Sequence, residues 1–157
     1  MFVYRLASRK YPPNNSEGAR TYGGRWNMAG TPAIYASTTR SLAALEVIIH
    51  NGAIPWDYQV IEIGIPDDVA IKEMDLKLLH DWPDGSTQHA TARYGTQWAQ
   101  SLGTAVLRAP SAAIRSEFNY VLNPLHPDFA RITFGVPATE EIDPRLRAAA
   151  IPPAIIG

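Results

Sequence analysis

The sequence predicts an α+β fold. Strand-like segments outnumber helical ones, helices do not alternate regularly with strands, and no repeat or low-complexity run interrupts the pattern. A doubly wound parallel sheet would need that alternation. At 157 residues the chain reads as one domain, 1–157, with 137–157 as a peripheral tail. A chain of this size buries roughly 68–70% of its unfolded surface.

The elements follow in order. Phe2–Leu6 is a short run of strand formers. Ser8 to Gly24 is polar and rich in Pro, Asn and Gly, and reads as a long loop. Pro32–Ala36 is a second strand. Ser37 or Thr38 can cap the helix that follows, from about Thr39 to His50, with Leu42, Leu45, Ile48 and Ile49 on one face. Asn51-Gly52 ends it in the left-handed manner.

Tyr58–Ile65 alternates as a strand does, and Pro66 closes it. Val69–Ile71 is a short edge, Asp75–His80 a brief helical turn and Asp81–Gln88 a loop. A second helix runs from His89 to Leu102 and stops at Gly103. Ala105–Arg108, Phe118–Leu122 and Ile132–Phe134 are the remaining strands, with Asn123-Pro124 forcing a turn. The tail holds one short helix around Arg145–Ala149, then the apolar Ile151–Ile156, a face on which another chain could pack.

Composition excludes several functions. Hydrophobic residues make up 46% and charged residues 18%, as in a soluble globular protein. With 14 basic and 15 acidic residues, no clustered cationic footprint for nucleic acid is expected. No cysteine is present, so thiol nucleophiles, disulfides and cysteine-held zinc are out. The N-terminus lacks a signal-peptide core and no apolar run reaches the roughly 20 residues of a membrane span. A cytoplasmic protein is the simplest expectation. There is no Gly-x-Ser-x-Gly elbow, P-loop, Gly-x-Gly-x-x-Gly or paired histidine spacing.

The chemistry concentrates in Gly23-Gly24-Arg25-Trp26-Asn27, Tyr35, Glu46 and Ser111. Two glycines let backbone approach a ligand, and a guanidinium offers a planar fork of donors for an anion. The alternative for Arg25 is a surface arginine in a turn. Trp26 can hold its plane by stacking, and Asn27 can bond locally to fix the turn. Tyr35 reads either as one half-buried face of a strand or as a platform for a planar cationic ring.

Glu46 lies among Leu42, Ala43, Leu45, Val47 and Ile48, where a carboxylate must be solvated, paired or working. It either pairs with Arg5 or Arg40 or faces a developing positive charge. Ser111 follows Pro110 at a strand end, as a turn serine or as a hydroxyl aimed at a ligand, and Ser116 is its rival. In the polar run Asn119–Asp128, Asn123 and Asp128 read as turn holders and His126, between prolines, as a structural hydrogen-bonder.

Tyr4-Arg5-Leu6, Gly23–Asn27, Tyr35-Ala36-Ser37, Leu42–Glu46, Leu107–Ser111 and Asn119–Asp128, in this order and spacing, resemble the RES-domain family, named for an arginine, a glutamate and a serine. The resemblance covers about Phe2 to Phe134. One departure is Ala109, where valine is expected before Pro110-Ser111.

By resemblance Arg25, Glu46 and Ser111 are the catalytic trio. Tyr35, Gly24, Trp26, Asn27, Arg5 and Asn119 are the substrate-binding candidates. The resemblance implies a compact core like that of ADP-ribosyltransferases, with two small, mainly antiparallel sheets and flanking helices. It implies a bacterial toxin with NAD+ as substrate and neither cofactor nor metal. The implied partner is an Xre-like helix-turn-helix antitoxin, and the oligomeric state stays open, a homodimer inside the complex being one option. The ADP-ribose acceptor stays open between water, phosphate and a protein. A module that binds NAD+ or the antitoxin without catalysis is the remaining alternative.

Overall fold

The computed structural model describes residues 1–75, 77 and 88–149. The predicted turn over Asp75–His80, the loop 81–88 and the apolar run 151–156 fall largely or wholly outside these residues. The elements are β1 (Phe2–Ser8), α1 (Glu17–Tyr22), β2 (Ile34–Ser37), α2 (Arg40–Asn51), β3 (Tyr58–Gly64), β4 (Ile71–Glu73), α3 (Gln88–Ser101), β5 (Val106–Pro110), β6 (Phe118–Leu122) and β7 (Thr133–Phe134). Short 3-10 turns occupy Pro127–Arg131 and Pro144–Leu146.

The strands form one seven-stranded sheet in the order β4-β5-β6-β2-β1-β3-β7, not two sheets. Every neighbouring pair is antiparallel except β4 with β5. The expectation of two sheets fails at one ladder. β1 and β2 are joined through the single registered pair Tyr4↔Ser37, whereas β1 pairs with β3 along seven positions from Phe2↔Gly64 to Ser8↔Tyr58. Two half-sheets thus meet at a narrow seam.

The alternation of strand side chains decides the layers. On one face, Val3, Ile61 and Ile63 from one half meet Ile34, Ala36, Val106, Tyr120 and Leu122 from the other, so the sheet curls around this core. On the opposite face α2 covers β1 and β3 through Ala43, Val47 and Ile48 against Leu6 and Val60. Trp26 and α3 cover β5 and β6, with Trp98 and Ala99 packed against Leu107, Ala109 and Val121. The two helices leave β2 between them, and there the side chains turn polar: Ser37 and Asn119 stand opposite one another across β2 and β6.

Local details depart from the sequence reading. The segment read as a loop from Ser8 to Gly24 contains α1. Its six residues are too few for a periodicity signal, but Glu17 and Arg20 pair across one turn and Gly23, at φ +73°, ends it. The cap of α2 is Thr39, whose Oγ1 accepts from Leu42 N at 3.1 Å. Ser37 and Thr38 lie too early and bond instead to Asn119 and to the Phe118 carbonyl.

The buried side of α2 is Leu42 and Ala43, while Leu45 and Ile49 are 39% and 61% exposed. The small Ala43 and Ala44 let the helix sit close to the sheet, which rotates Leu45 and Ile49 outward. The fourth strand begins at Ile71, where it meets Val106 in parallel, while Val69 goes into the core. The predicted helix at Arg145–Ala149 is the shorter 3-10 turn, followed by pairing of Ala148 N with the Ile54 carbonyl at 2.9 Å.

Candidate active site

Glu46 projects from α2 toward the ends of β5 and β6. Its Oε1 accepts two hydrogen bonds, from Ser111 Oγ at 2.5 Å and from Asn119 Nδ2 at 2.8 Å. Among the described residues Oε2 takes no hydrogen bond, and Glu46 forms no ion pair. Neither arginine weighed as its partner reaches it. Arg40 lies over the Tyr4 ring and beside Glu62 and Glu140. Two donors on one oxygen hold the carboxylate in a fixed orientation and leave the other oxygen for a ligand.

Ser111 owes its aim to the backbone. It ends β5 just after Pro110, is fully buried, and its N–H donates to the Glu117 carbonyl at 2.8 Å. Its Oγ also accepts from Ala113 N and Ile114 N, at 3.0 and 3.2 Å. A hydroxyl has one proton, so an oxygen that accepts from the chain on one side donates it to Glu46 on the other. Ser116, its rival, is exposed.

Asn119 is buried on β6 opposite Ser37, whose Oγ donates to Asn119 Oδ1 at 2.7 Å. Its amide therefore spans Ser37 and Glu46 with both ends bonded.

The glycine-arginine turn forms the second half. Gly24 N bonds to the Asn27 carbonyl at 2.9 Å, closing it. Tyr35 braces it from β2: its hydroxyl accepts from Trp26 N at 3.0 Å and donates to Asn27 Oδ1 at 2.6 Å. Gly24 is required here, because an added Cβ would lie 2.8 Å from the Tyr35 hydroxyl and 2.9 Å from Asn27 Oδ1. Burial pushes the Tyr35 phenol well above its ordinary range, opposed by the Trp26 N–H and by the nearby Arg25 charge.

Arg25 itself is half-buried, and among the described residues its guanidinium makes no hydrogen bond or ion pair. Such a cation, set on a rigid turn, is available to an anion.

Other candidates sit differently. Trp26 is buried beneath Tyr94, and Asn27 is buried with Nδ2 bonded to the carbonyls of Ala19, Met28 and Thr31. Both side chains are occupied in holding the turn and neither offers a surface to a ligand.

Arg5 lies apart from the site. Since Tyr4 pairs with Ser37, its neighbour Arg5 faces the other side of the sheet, between Val3 and Ala7. There Nη1 is buried with no partner among the described residues, and desolvation lowers the guanidinium to about 10.

Three supporting residues escaped the sequence reading. Ser37, a helix-cap candidate by sequence, instead bonds to Asn119. Gly95 on α3 packs against the Trp26 backbone, so that an added Cβ would stand 1.8 Å from the Trp26 carbonyl oxygen. Thr96 Oγ1 accepts from Met28 N at 2.8 Å. A glycine inside a helical pattern was the available signal for Gly95.

An open cavity of about 340 Å³ lies elsewhere, lined by Lys72, Tyr94, Trp98 and Ser101 on β4 and α3. It contains neither Arg25, Tyr35, Glu46, Ser111 nor Asn119. Among the described residues no cluster of His, Asp or Glu could hold a metal ion. No helix among them is long and apolar enough to cross a membrane.

The structure thus brings Glu46 and Ser111 into contact and sets Arg25 on a turn braced by Tyr35. The RES domain family model matches residues 2–143, and the chain belongs to that family. It is 39% identical over 116 residues to the Prs ADP-ribosylating toxin of Sphingobium sp. (strain YBL2), covering 71% of this chain and 72% of that protein. It is 35% identical over 148 residues to Toxin Res of Photorhabdus laumondii, covering 87% and 94%. Toxin Res of Yersinia enterocolitica is 32% identical over 152 residues, covering 94% and 100%. Among solved structures, a chain of the M. tuberculosis MbcT–MbcA toxin–antitoxin complex superposes with a TM-score of 0.63 over 88% of this chain and 84% of that one. At 18% identity this last likeness shows the fold.

Proposed function

We propose that this chain is the toxin of a toxin–antitoxin pair and that it cleaves the nicotinamide–ribose bond of NAD+, passing ADP-ribose to water or phosphate. The observation that carries the reading is the asymmetry at Glu46: Oε1 is held by Ser111 and Asn119 while Oε2 is unclaimed among the described residues. NAD+ supplies a cationic leaving group. When the N-glycosidic bond breaks, its electron pair goes to the nicotinamide nitrogen and neutral nicotinamide departs. No general acid is needed. The ribose is left oxocarbenium-like, as in glycoside cleavage.

A carboxylate fixed in orientation before the reaction stabilises that charge without reorganising. Glu46 Oε2 fills this role and can also orient the attacking oxygen. Arg25 holds the pyrophosphate, and Tyr35 serves by bracing the turn that carries Arg25. Incubation with NAD+ labelled in the ribose, with and without phosphate, tests the reading. Free nicotinamide with soluble ADP-ribose or its phosphorylated form supports it, and an unchanged NAD+ pool removes it.

A second reading has a specific observation behind it: the relative at 39% identity is named as an ADP-ribosylating toxin. In that reading the same bond breaks, but a protein side chain captures the ribose. Label recovered on protein distinguishes it. The partner we infer is an Xre-like helix-turn-helix antitoxin. The support is that the structural neighbour comes from a toxin–antitoxin complex and that the relatives are named toxins. Cytoplasmic location belongs to the same reading, since NAD+ and such an antitoxin are found there.

A further inference from the structure

We infer that Ser37 is a positioning residue for this reaction, acting on Glu46 through Asn119. The inference rests on the reading of Glu46 as the reacting carboxylate. Ser37 lies at the end of β2 and Asn119 directly across from it on β6, so their side chains share one face at cross-strand distance. Both are buried. Ser37 Oγ donates to Asn119 Oδ1 at 2.7 Å, and Asn119 Nδ2 donates to Glu46 Oε1 at 2.8 Å.

An asparagine amide presents a donor at one end and an acceptor at the other. Facing a carboxylate, only the donor end is favourable. The acceptor end must then be satisfied elsewhere, and in a buried position water does not supply the partner. Ser37 supplies it. With both ends bonded, the amide has no freedom to turn about its last torsion, and its N–H meets Glu46 from one direction. Ser111 fixes a second direction at the same oxygen. The two directions together determine where Oε2 stands.

The arrangement uses the seam of the sheet. Ser37 is the β2 residue that pairs with Tyr4, and Tyr35 lies two residues earlier on the same face, roughly 7 Å along the strand. One short strand therefore holds both halves of the site: Tyr35 braces the arginine turn and Ser37 secures the amide behind the carboxylate.

A double-mutant cycle on NAD+ turnover tests this, using the full chain and its wild type as the first arm. Wild-type protein without turnover removes the functional reading and this inference with it. Given wild-type turnover, Asn119→Ala should lower kcat about a hundredfold, and Ser37→Ala about tenfold with KM within about twofold. If Ser37 acts through Asn119, the double variant is no slower than Asn119→Ala alone, because the group being positioned is gone. Independent effects, multiplying to about a thousandfold, overturn the inference while leaving the reaction in place.

A second pair of variants keeps the test decisive if Ser37→Ala fails to fold. Ser37→Thr retains the hydroxyl and should keep most of the rate. Ser37→Cys retains the volume, donates weakly and should lose it. Equal rates for Thr and Cys would show that only packing matters and would overturn the assignment.

Discussion

Ser111 Oγ and Glu46 Oε1 meet at 2.5 Å although 65 residues separate them along the chain. The contact joins the middle of α2 to the end of β5 and places the carboxylate beside the seam left open between α2 and α3.

Glu46→Gln keeps an oxygen that can still accept from Ser111 and Asn119, so the fold is expected to survive. It removes the negative charge. NAD+ turnover should fall by about 10²–10³-fold with KM little changed. Nicotinamide release under saturating NAD+ measures it. A variant retaining more than a tenth of the rate would take Glu46 out of the chemistry.

Arg25→Ala should act on binding. Loss of a charged, two-pronged contact to a pyrophosphate is expected to raise KM by about 10–100-fold, with a smaller effect on kcat. Arg25→Lys should recover only part of the loss, because an ammonium is a point charge without the planar fork. Equal KM in wild type and Arg25→Ala would assign the phosphate contact elsewhere.

Tyr35 makes a prediction about alkaline pH. Its phenol ordinarily ionises near 10, and burial raises that value in the folded protein. A group whose folded value lies above its unfolded one contributes stability that is complete below the unfolded value. That stability is lost as pH rises from about 10 toward the folded value. Absorbance titration of tyrosinate should show one phenol that ionises only on unfolding, and Tyr35→Phe should abolish that component. The variant should also lose the steep decline in stability above pH 10. An unchanged titration would mean that Tyr35 is in contact with solvent.

Gly95→Ala tests the anchoring of the arginine turn on α3. A Cβ placed 1.8 Å from the Trp26 carbonyl oxygen cannot be relieved by a rotamer change, since the obstacle is backbone. The expected cost is about 3 kcal/mol, which for a chain of this size lowers the thermal midpoint by roughly 6–12 °C. A drop of only a degree or two would mean that α3 stands farther from the turn.

Much of the fold can be read along the chain. Phe118–Leu122 was legible to the residue, and α2 and α3 within one or two, because hydrophobic periodicity and glycine stops are local signals. The helix α1 was not, being shorter than any useful window. The orientation of α2 was misread at Leu45 and Ile49, because apolar character alone does not say which side faces the sheet when alanines permit closer packing. His126 was read as a structural hydrogen-bonder, and its Nδ1 accepts from Asp128 N at 3.0 Å. Asn123 was read as a turn holder, and its amide bonds to the Ala99 carbonyl and to Leu125 N.

By itself the sequence determined the α+β class, most of the strands and helices, and the family, through the order and spacing of Arg25, Tyr35, Glu46 and Ser111. Those are properties of residue type and near neighbours. Tertiary structure alone decided that the two half-sheets are one sheet and that Arg5 faces away from the site. It also decided that Trp26 and Asn27 are spent inside the turn, and that Ser37 stands behind Asn119 and Glu46. These depend on strand register and helix packing: a slip of one residue in β1 at the Tyr4↔Ser37 pair would turn Arg5 to the opposite face.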